Sequence, residues 1–371
     1  MGPRFVLASA AIRPASHIIG RRGDKYGRVR GLDAKEPLEL LAIGETLVDF
    51  ISVEQTDWLR NATTFRRYLG GSPANIAVNV AKLGGRSAVV SKTGIGAFAQ
   101  FVKSELQRHG VSIEYLVMDH RNRTTVAFVS STSGKPDFEI ARSGDYRLRP
   151  EEIPDEAVER ARVVHASTFA LSRETCRSAV KRVFEMAREQ DKVVSLDPNY
   201  SARIWPHHKE ARQVLRDMYQ YVNITKPSAD DARRIFGPEY TTEQYIELFH
   251  EMGPETVVFT MGPEGVLISE KGHIVSHVPA RPIVAEDATG AGDAFWAGFL
   301  VALLDGEPLQ RCAYFAREIA ELKLTRKGPL PLEMDRGELY EKAREAFAET
   351  AVTKAAALHE NSGREGTSRA G

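Results

Sequence analysis

Six short apolar runs punctuate this chain, and most are separated by stretches with helical spacing. They are LELLAIGE, SAVVSKTG, ARVVHAS, KVVSLD, YVNIT and TVVFTMG. Runs of this kind do not alternate between polar and apolar residues, so both faces of each strand are covered. Strands covered on both faces and joined by helices form a parallel sheet with helices on each side, a doubly wound α/β architecture. PANIAVNVAKLG reads as a helix presenting Ile76, Val80 and Leu83 on one face. A second helix carries Phe98, Phe101, Val102 and Leu106, and a third carries Cys176, Val180, Val183, Phe184 and Ala187 at core spacing. In such sheets ligands bind outside the carboxyl ends of the strands.

Two segments break the rhythm. Residues 47–69 and 122–148 show strand-like alternation with no helix between their strands. They could pair as a small antiparallel sheet projecting from the body, serving either as a flap over a site or as an ordinary edge hairpin. Residues 1–37 are rich in Arg and Gly without sustained periodicity and read as a disordered extension, with a presequence as the alternative. Residues 336–371 read as a helix followed by a disordered tail.

Fifty basic residues balance fifty acidic ones, which gives no reason to expect a nucleic-acid or membrane-surface partner. Two cysteines, Cys176 and Cys312, point to a reducing, cytoplasmic setting rather than a disulfide framework. The longest apolar run, Ala294 to Leu304, is far short of the roughly 20 residues that span a bilayer and reads as a buried helix.

That helix is preceded by DATGAGDAF, residues 287–295. A glycine-rich loop opening a helix leaves the first-turn N–H groups of Gly290, Ala291, Gly292 and Asp293 without intrahelical partners, and these make an anion site. Asp293 is placed to accept a proton from an alcohol as its oxygen attacks a phosphoryl group. The bland alternative is a glycine-rich helix start with Asp293 as a favourable N-terminal charge. No Gly-Lys-Ser/Thr follows, so this is not a Walker loop, and the early glycine fingerprint of a dinucleotide-dependent oxidoreductase is missing.

DATGAGDAF resembles the carboxy-terminal signature of the ribokinase-like (PfkB-type) carbohydrate kinases. GGSPANIAVNVAKLGG, residues 70–85, resembles their amino-terminal signature. GETLVDF, DPNYSARIW and VVFTMGPEGVLI are also similar to family segments, and the matches run in family order from Leu38 to Leu332. The resemblance implies a ribokinase-like doubly wound sheet with a β lid, and a carbohydrate kinase domain over 38–335. It also implies ATP-dependent phosphorylation of a sugar or sugar-acid hydroxyl with ATP and Mg²⁺. Carried over by position, Asp293 is the base and Gly290, Ala291 and Gly292 form the anion hole. Asp49, Gly70, Gly71 and Asn75 hold sugar hydroxyls, with Arg142 and Arg203 as further substrate contacts. Lys226, Ser228, Thr260, Gly262, Gly265 and Thr289 lie on the nucleotide side, and Asp231 is the candidate Mg²⁺ ligand.

The departures from the family pattern are specific. Ser228 replaces an asparagine and could simply cap a helix. Ser201 stands where an arginine is common, with Arg203 two positions later. Gly96 and Ala99 replace an acidic residue and a glycine. The motifs are closest to fructokinases, 2-keto-3-deoxygluconate kinases and 5-dehydro-2-deoxygluconate kinases, so a ketose or keto-sugar acid is the expected substrate. A homodimer through the lid is a further expectation. The altered positions leave room for a rival reading, a non-catalytic scaffold on a kinase fold.

Overall fold

The computed structural model describes residues 36–132, 136–205, 207–326 and 328–350. The expected extension, apart from its last two residues, and the tail beyond residue 350 lie outside the described residues.

The chain opens with β1 (Leu38–Ile43), leaves the body as the hairpin β2 (Leu47–Gln55) and β3 (Phe65–Gly70), and returns as helix α1 (Ser72–Lys82). It continues through β4 (Ser87–Thr93), α2 (Ala97–Arg108) and β5 (Leu116–Met118). A second excursion forms β6 (Val126–Ser131) and β7 (Phe138–Ala141). Next come α3 (Asp155–Glu159), β8 (Ala161–Ser167), the short α4 (Thr168–Leu171), α5 (Cys176–Glu189) and β9 (Val193–Asp197). After α6 (His208–Tyr219) the two-residue β10 (Ile224–Thr225) precedes α7 (Ala229–Phe236), α8 (Thr242–Met252) and β11 (Thr256–Thr260). β12 (Val266–Glu270), β13 (His273–Val278), α9 (Ala291–Leu304) and α10 (Leu309–Leu324) follow, and residues 336–350 are helical.

The main sheet has the order β13-β12-β11-β10-β9-β8-β1-β4-β5. Pairings from β5 to β11 are parallel, whereas β11–β12 and β12–β13 are antiparallel, so the sheet is mixed at one edge. Side chains alternate across each strand, and two apolar cores result. Leu41 and Ile43 enter one, with Val180, Val183 and Phe184 of α5. Leu40 and Ala42 enter the other, with Ile76 and Val80 of α1 and with Trp296, Phe299 and Leu300 of α9. α9 is apolar almost all round and its middle is buried throughout, as expected of Ala294–Leu304. Among the described residues no helix is long and apolar enough to cross a membrane.

Phe98, grouped with the core positions of α2, is instead 40% exposed and meets Phe50 of β2 edge-on at 5.5 Å. The helix over 336–350 sends Leu339, Tyr340 and Ala343 into the second core, where Tyr340 stacks on Phe315 at 4.1 Å.

The small sheet has the order β3-β2-β6-β7. Each hairpin is antiparallel, but the two meet through a parallel β2–β6 pair, so the sheet is not antiparallel throughout as expected. The cause is the path of the chain. After β3 it passes through α1, β4, α2 and β5 before β6 leaves the body in the same direction as β2, and a parallel pair needs a long crossover of this kind.

The order of the main sheet reverses at β1, with β4 on one side and β8 on the other. A crevice opens at such a switch point, at the strands' carboxyl ends. Glu45 just beyond β1, Ser167 at the end of β8, Asp197 at the end of β9 and Lys226 just beyond β10 lie at these ends, with Ser167 bonded to Glu45 and Lys226 to Asp197.

Candidate active site

Gly290 caps α9 in a left-handed conformation (φ 77°), which glycine adopts without strain and which aims the following amides out of the helix end. The Ala291 N–H turns back to the Ala288 carbonyl at 3.2 Å, so it is not free for an anion as expected. The N–H groups of Gly290, Gly292 and Asp293 have no acceptor among the described residues. Three amides of this stretch, not four, are therefore unengaged among the described residues.

Asp293 sits in the first turn of α9, where α1 packs against it. Its Oδ1 accepts from Ser72 Oγ at 2.7 Å and its Oδ2 from Asn75 Nδ2 at 2.9 Å. A carboxylate offers about four lone-pair positions, so two remain for a ligand. Burial raises its pKa, opposed by Asn75, Ser72 and the Lys226 ammonium. A carboxylate so placed, beside unengaged amides, can take a proton from an alcohol while the amides hold developing negative charge.

Paired glycines position the other wall. A side chain on Gly70 would fall 2.2 Å from Asp49 Oδ2, and one on Gly71 (φ 100°) would fall 2.3 Å from the Glu45 carbonyl oxygen. Only bare backbone lets β3 turn into α1 there and lets the Asp49 carboxylate lie against it. Burial, then the charge of Asp293, pushes Asp49 up to about 7. Asp49, Gly70, Gly71, Asn75 and Asp293 are thus brought together as the sequence suggested.

Lys226 approaches from the opposite side. It is buried and pairs with Asp197 at 2.9 Å, and a side chain on Gly292 would lie 3.6 Å from its Nζ. Burial pulls the ammonium down, but Asp197, then Asp231 and Asp293, hold its pKa above the ordinary value. Burial likewise outweighs Lys226 at Asp197 and pushes that carboxyl up to about 6. On the same side Thr260 bonds the Pro227 carbonyl oxygen at 2.9 Å through its backbone. The adjoining turn needs glycine at 262 (φ 58°) and at 265 (φ 95°). Thr289 is exposed, its N–H bound to Asp287 Oδ1 at 2.9 Å. Lys323 holds Asp287 at 3.1 Å.

The remaining expected residues have other attachments. Ser228 is the N-cap of α7, accepting from the Asp231 N–H at 3.0 Å. The Asp231 carboxylate accepts from the Tyr200 N–H at 2.7 Å, the Ser228 N–H at 3.1 Å and Ser228 Oγ. Three of its about four acceptor positions are filled, so Asp231 could offer a metal at most one contact, on Oδ1. Among the described residues, moreover, no group of three or more His, Cys, Asp or Glu could hold a metal ion. Arg142 is buried in a two-pronged pair with Asp145 at 2.9 and 2.6 Å and lies 4.1 Å from the Phe169 ring centre. Arg203 reaches the small sheet, donating to Asp137 at 2.6 Å and to the Phe138 carbonyl oxygen at 2.9 Å. Both arginines line a 510 Å³ hollow beside β7.

Glu45 and Ser72 were not singled out by sequence reasoning, although both lie inside motifs it quoted. Glu45 is 3% exposed, accepts from the Ser72 N–H at 3.2 Å and from Ser167 Oγ at 3.0 Å, and is pushed by burial up to about 8. It is therefore largely protonated at neutral pH and acts as a brace under the loop that carries Gly71 and Ser72. A buried acid directly after an apolar strand was the available signal.

Residues 38–334 match the model of the pfkB family carbohydrate kinases. An ATP-dependent 6-phosphofructokinase from Thermoanaerobacterium thermosaccharolyticum is 33% identical over 79% of this chain and 89% of its own. The probable fructokinase-2 of Arabidopsis thaliana is 30% identical over 79% of this chain and 92% of its own. Among solved structures, the Halothermothrix orenii fructokinase superposes with a TM-score of 0.68 at 35% identity, covering 79% of this chain and all of that one. An uncharacterized sugar kinase from Pyrococcus horikoshii in complex with ATP gives a TM-score of 0.72 at 28% identity, covering 83% of this chain and 99% of that one.

Proposed function

The chain belongs to the pfkB family of carbohydrate kinases, and on that premise we propose that it moves the γ-phosphoryl group of ATP to a hydroxyl of a ketose or keto-sugar acid. The observation that carries the reading is Asp293, oriented by Ser72 and Asn75 beside the unengaged amides of Gly290 and Gly292. In this reading Asp49, Asn75 and the backbone at Gly70 and Gly71 hold the sugar. Asp293 removes the proton of the attacking hydroxyl, and the amides with Lys226 stabilise charge on the transferred group. Thr260, Gly262, Gly265 and Thr289 border the nucleotide, and Arg142 and Arg203 flank the sugar from the small sheet, which acts as a lid. Asp231 would offer Mg²⁺ at most one carboxylate oxygen, and no step is assigned to the ion. A non-catalytic scaffold would have no use for a carboxylate aimed by two donors at a set of unengaged amides.

The named relatives favour fructose over the acids, because fructokinases recur among them. A homodimer through the lid remains part of the proposal, with β3 and β7 as the unpaired edges of the small sheet. The test is ADP release from Mg-ATP with fructose, ribose, 2-keto-3-deoxygluconate, 5-dehydro-2-deoxygluconate and a nucleoside. Turnover on a ketose or keto-acid supports the reading. Turnover confined to ribose or the nucleoside overturns the substrate class, and silence on all five overturns the reading as stated.

A further inference from the structure

A cavity of 650 Å³ begins at Asp49 and Asn75 and runs along α1 past Val78 and Asn79 to Lys82. Positions 75, 79 and 82 share one face of the helix, and seven residues of rise carry the cavity about 10 Å from the acceptor site. The far wall is α2, through Phe101, Glu105, Arg108 and His109.

This far end is cationic and short of counter-charge. Arg67 lies over the Phe101 ring at 3.9 Å and has no carboxylate partner among the described residues. Lys82 is 4% exposed, and its ammonium donates to the Leu330 carbonyl oxygen at 2.8 Å, which leaves two of its protons unused. Glu105 is the single acid of the α2 wall; Glu286 and Asp287 line the cavity as well, Asp287 held by Lys323 at 3.1 Å. Glu105 lies 3.5 Å from Arg108 and 3.7 Å from His109 Nε2, both longer than a hydrogen-bonded ion pair. His109 Nδ1 is buried with no partner, in a side chain only 9% exposed. Burial, reinforced by neighbouring cations, pulls Lys82 down to about 8 and His109 down to about 4.

We propose that Arg67, Lys82, Arg108 and His109 form a second anion site that binds a phosphate group, either free or carried by a small phosphate ester. A phosphate offers several acceptor oxygens to a guanidinium, an ammonium and an imidazole converging from three elements, and its charge answers the missing carboxylates. Thr289 and Gly290 of the α9 loop line the same cavity, but the four side chains of this site come from β3, α1 and the end of α2, and the inference does not depend on the kinase reading. The site adjoins that loop: Leu330 lies two residues after Gly328, whose N–H reaches Asp287 Oδ2 at 3.4 Å.

The test is calorimetric titration of the full chain with inorganic phosphate and with fructose 6-phosphate, using fructose as the neutral control. Arg67→Gln and Arg108→Gln are the primary variants, because both side chains are exposed and their loss leaves the core intact. Lys82→Met is the stronger perturbation. Saturable binding of either phosphate probe, weakened about tenfold by removal of one charged contact, is the expected result. Tighter binding of inorganic phosphate identifies the free ion as the ligand, and tighter binding of the ester identifies the ester. Absence of saturable binding by both probes overturns the proposal. So does wild-type affinity in both glutamine variants, since that would place the phosphate at the α9 terminus instead.

Discussion

Replacing Asp293 with asparagine isolates proton transfer from almost everything else at the site. The carboxylate accepts one hydrogen bond on each oxygen, from Ser72 Oγ and Asn75 Nδ2. An asparagine can keep its oxygen towards Asn75 and turn its NH₂ towards Ser72, whose hydroxyl rotates from donor to acceptor. The fold and the amides of Gly290 and Gly292 therefore survive, while the proposed base is gone. General-base catalysis contributes about 10²–10⁴-fold, so Asp293→Asn should raise the barrier by about 3–5 kcal/mol. In an ADP-release assay kcat should fall by that factor, with the Kd for ATP within about threefold of wild type. The wild-type pH profile should carry the same signature. Asp293 works only when deprotonated, and burial holds its pKa above the usual carboxylate value, so activity should fall on acidification at a higher pH than an exposed aspartate would dictate. Because Asp49 carries the charge of Asp293 among its causes, the acid limb belongs to the pair rather than to either group. Turnover in the variant within tenfold of wild type would refute the assignment.

Three further outcomes follow from the geometry. Glu45→Gln keeps the acceptor for Ser72 and Ser167 but removes a carboxyl whose folded pKa of about 8 lies above its ordinary value of 4.5. The native protein binds that proton more tightly than the unfolded chain, so wild-type stability declines as pH rises from about 4.5 to 8. The variant should be more stable by on the order of 4 kcal/mol at pH 8 and nearly equal at pH 4, as read by urea melts; a gap independent of pH would count against a protonated Glu45. Ser228→Ala removes the cap of α7 and should cost about 1 kcal/mol in the same melts, and an unchanged midpoint would deny the cap its weight. Arg142→Met strands the buried Asp145 carboxylate and should cost about 3–5 kcal/mol, whereas a variant as stable as wild type would show that Asp145 does not need its arginine.

Much of the fold is legible because each element carries its own local reason. The apolar strands need cover on both faces, α5 places five core residues at helical spacing, and all five are fully buried. The direction of the β2–β6 pair has no such local reason, because it depends on how many elements intervene before the chain returns. Phe98 shows the same limit: helical spacing groups it with Phe101, Val102 and Leu106, but it meets Phe50 of the small sheet, a partner that a period of 3.6 cannot register.

At the site, the sequence separates residue types but not their neighbours. Ser72 meets Asp293 across 221 positions, a contact no spacing rule contains. The contrast between two aspartates makes the point in chemical terms. Asp231 and Asp293 both lie in the first turn of a helix, and by motif both qualified for work on phosphates. Asp231 is held by its own cap and by Tyr200, three donors in all, and is largely committed to stabilising a turn. Asp293 receives two donors, both from α1, and they fix its plane while leaving a lone pair on each oxygen for a ligand. In the proposed reading, what separates a structural carboxylate from a reactive one is the number of donors the fold brings to it, and that number exists only after α1 and α9 have packed.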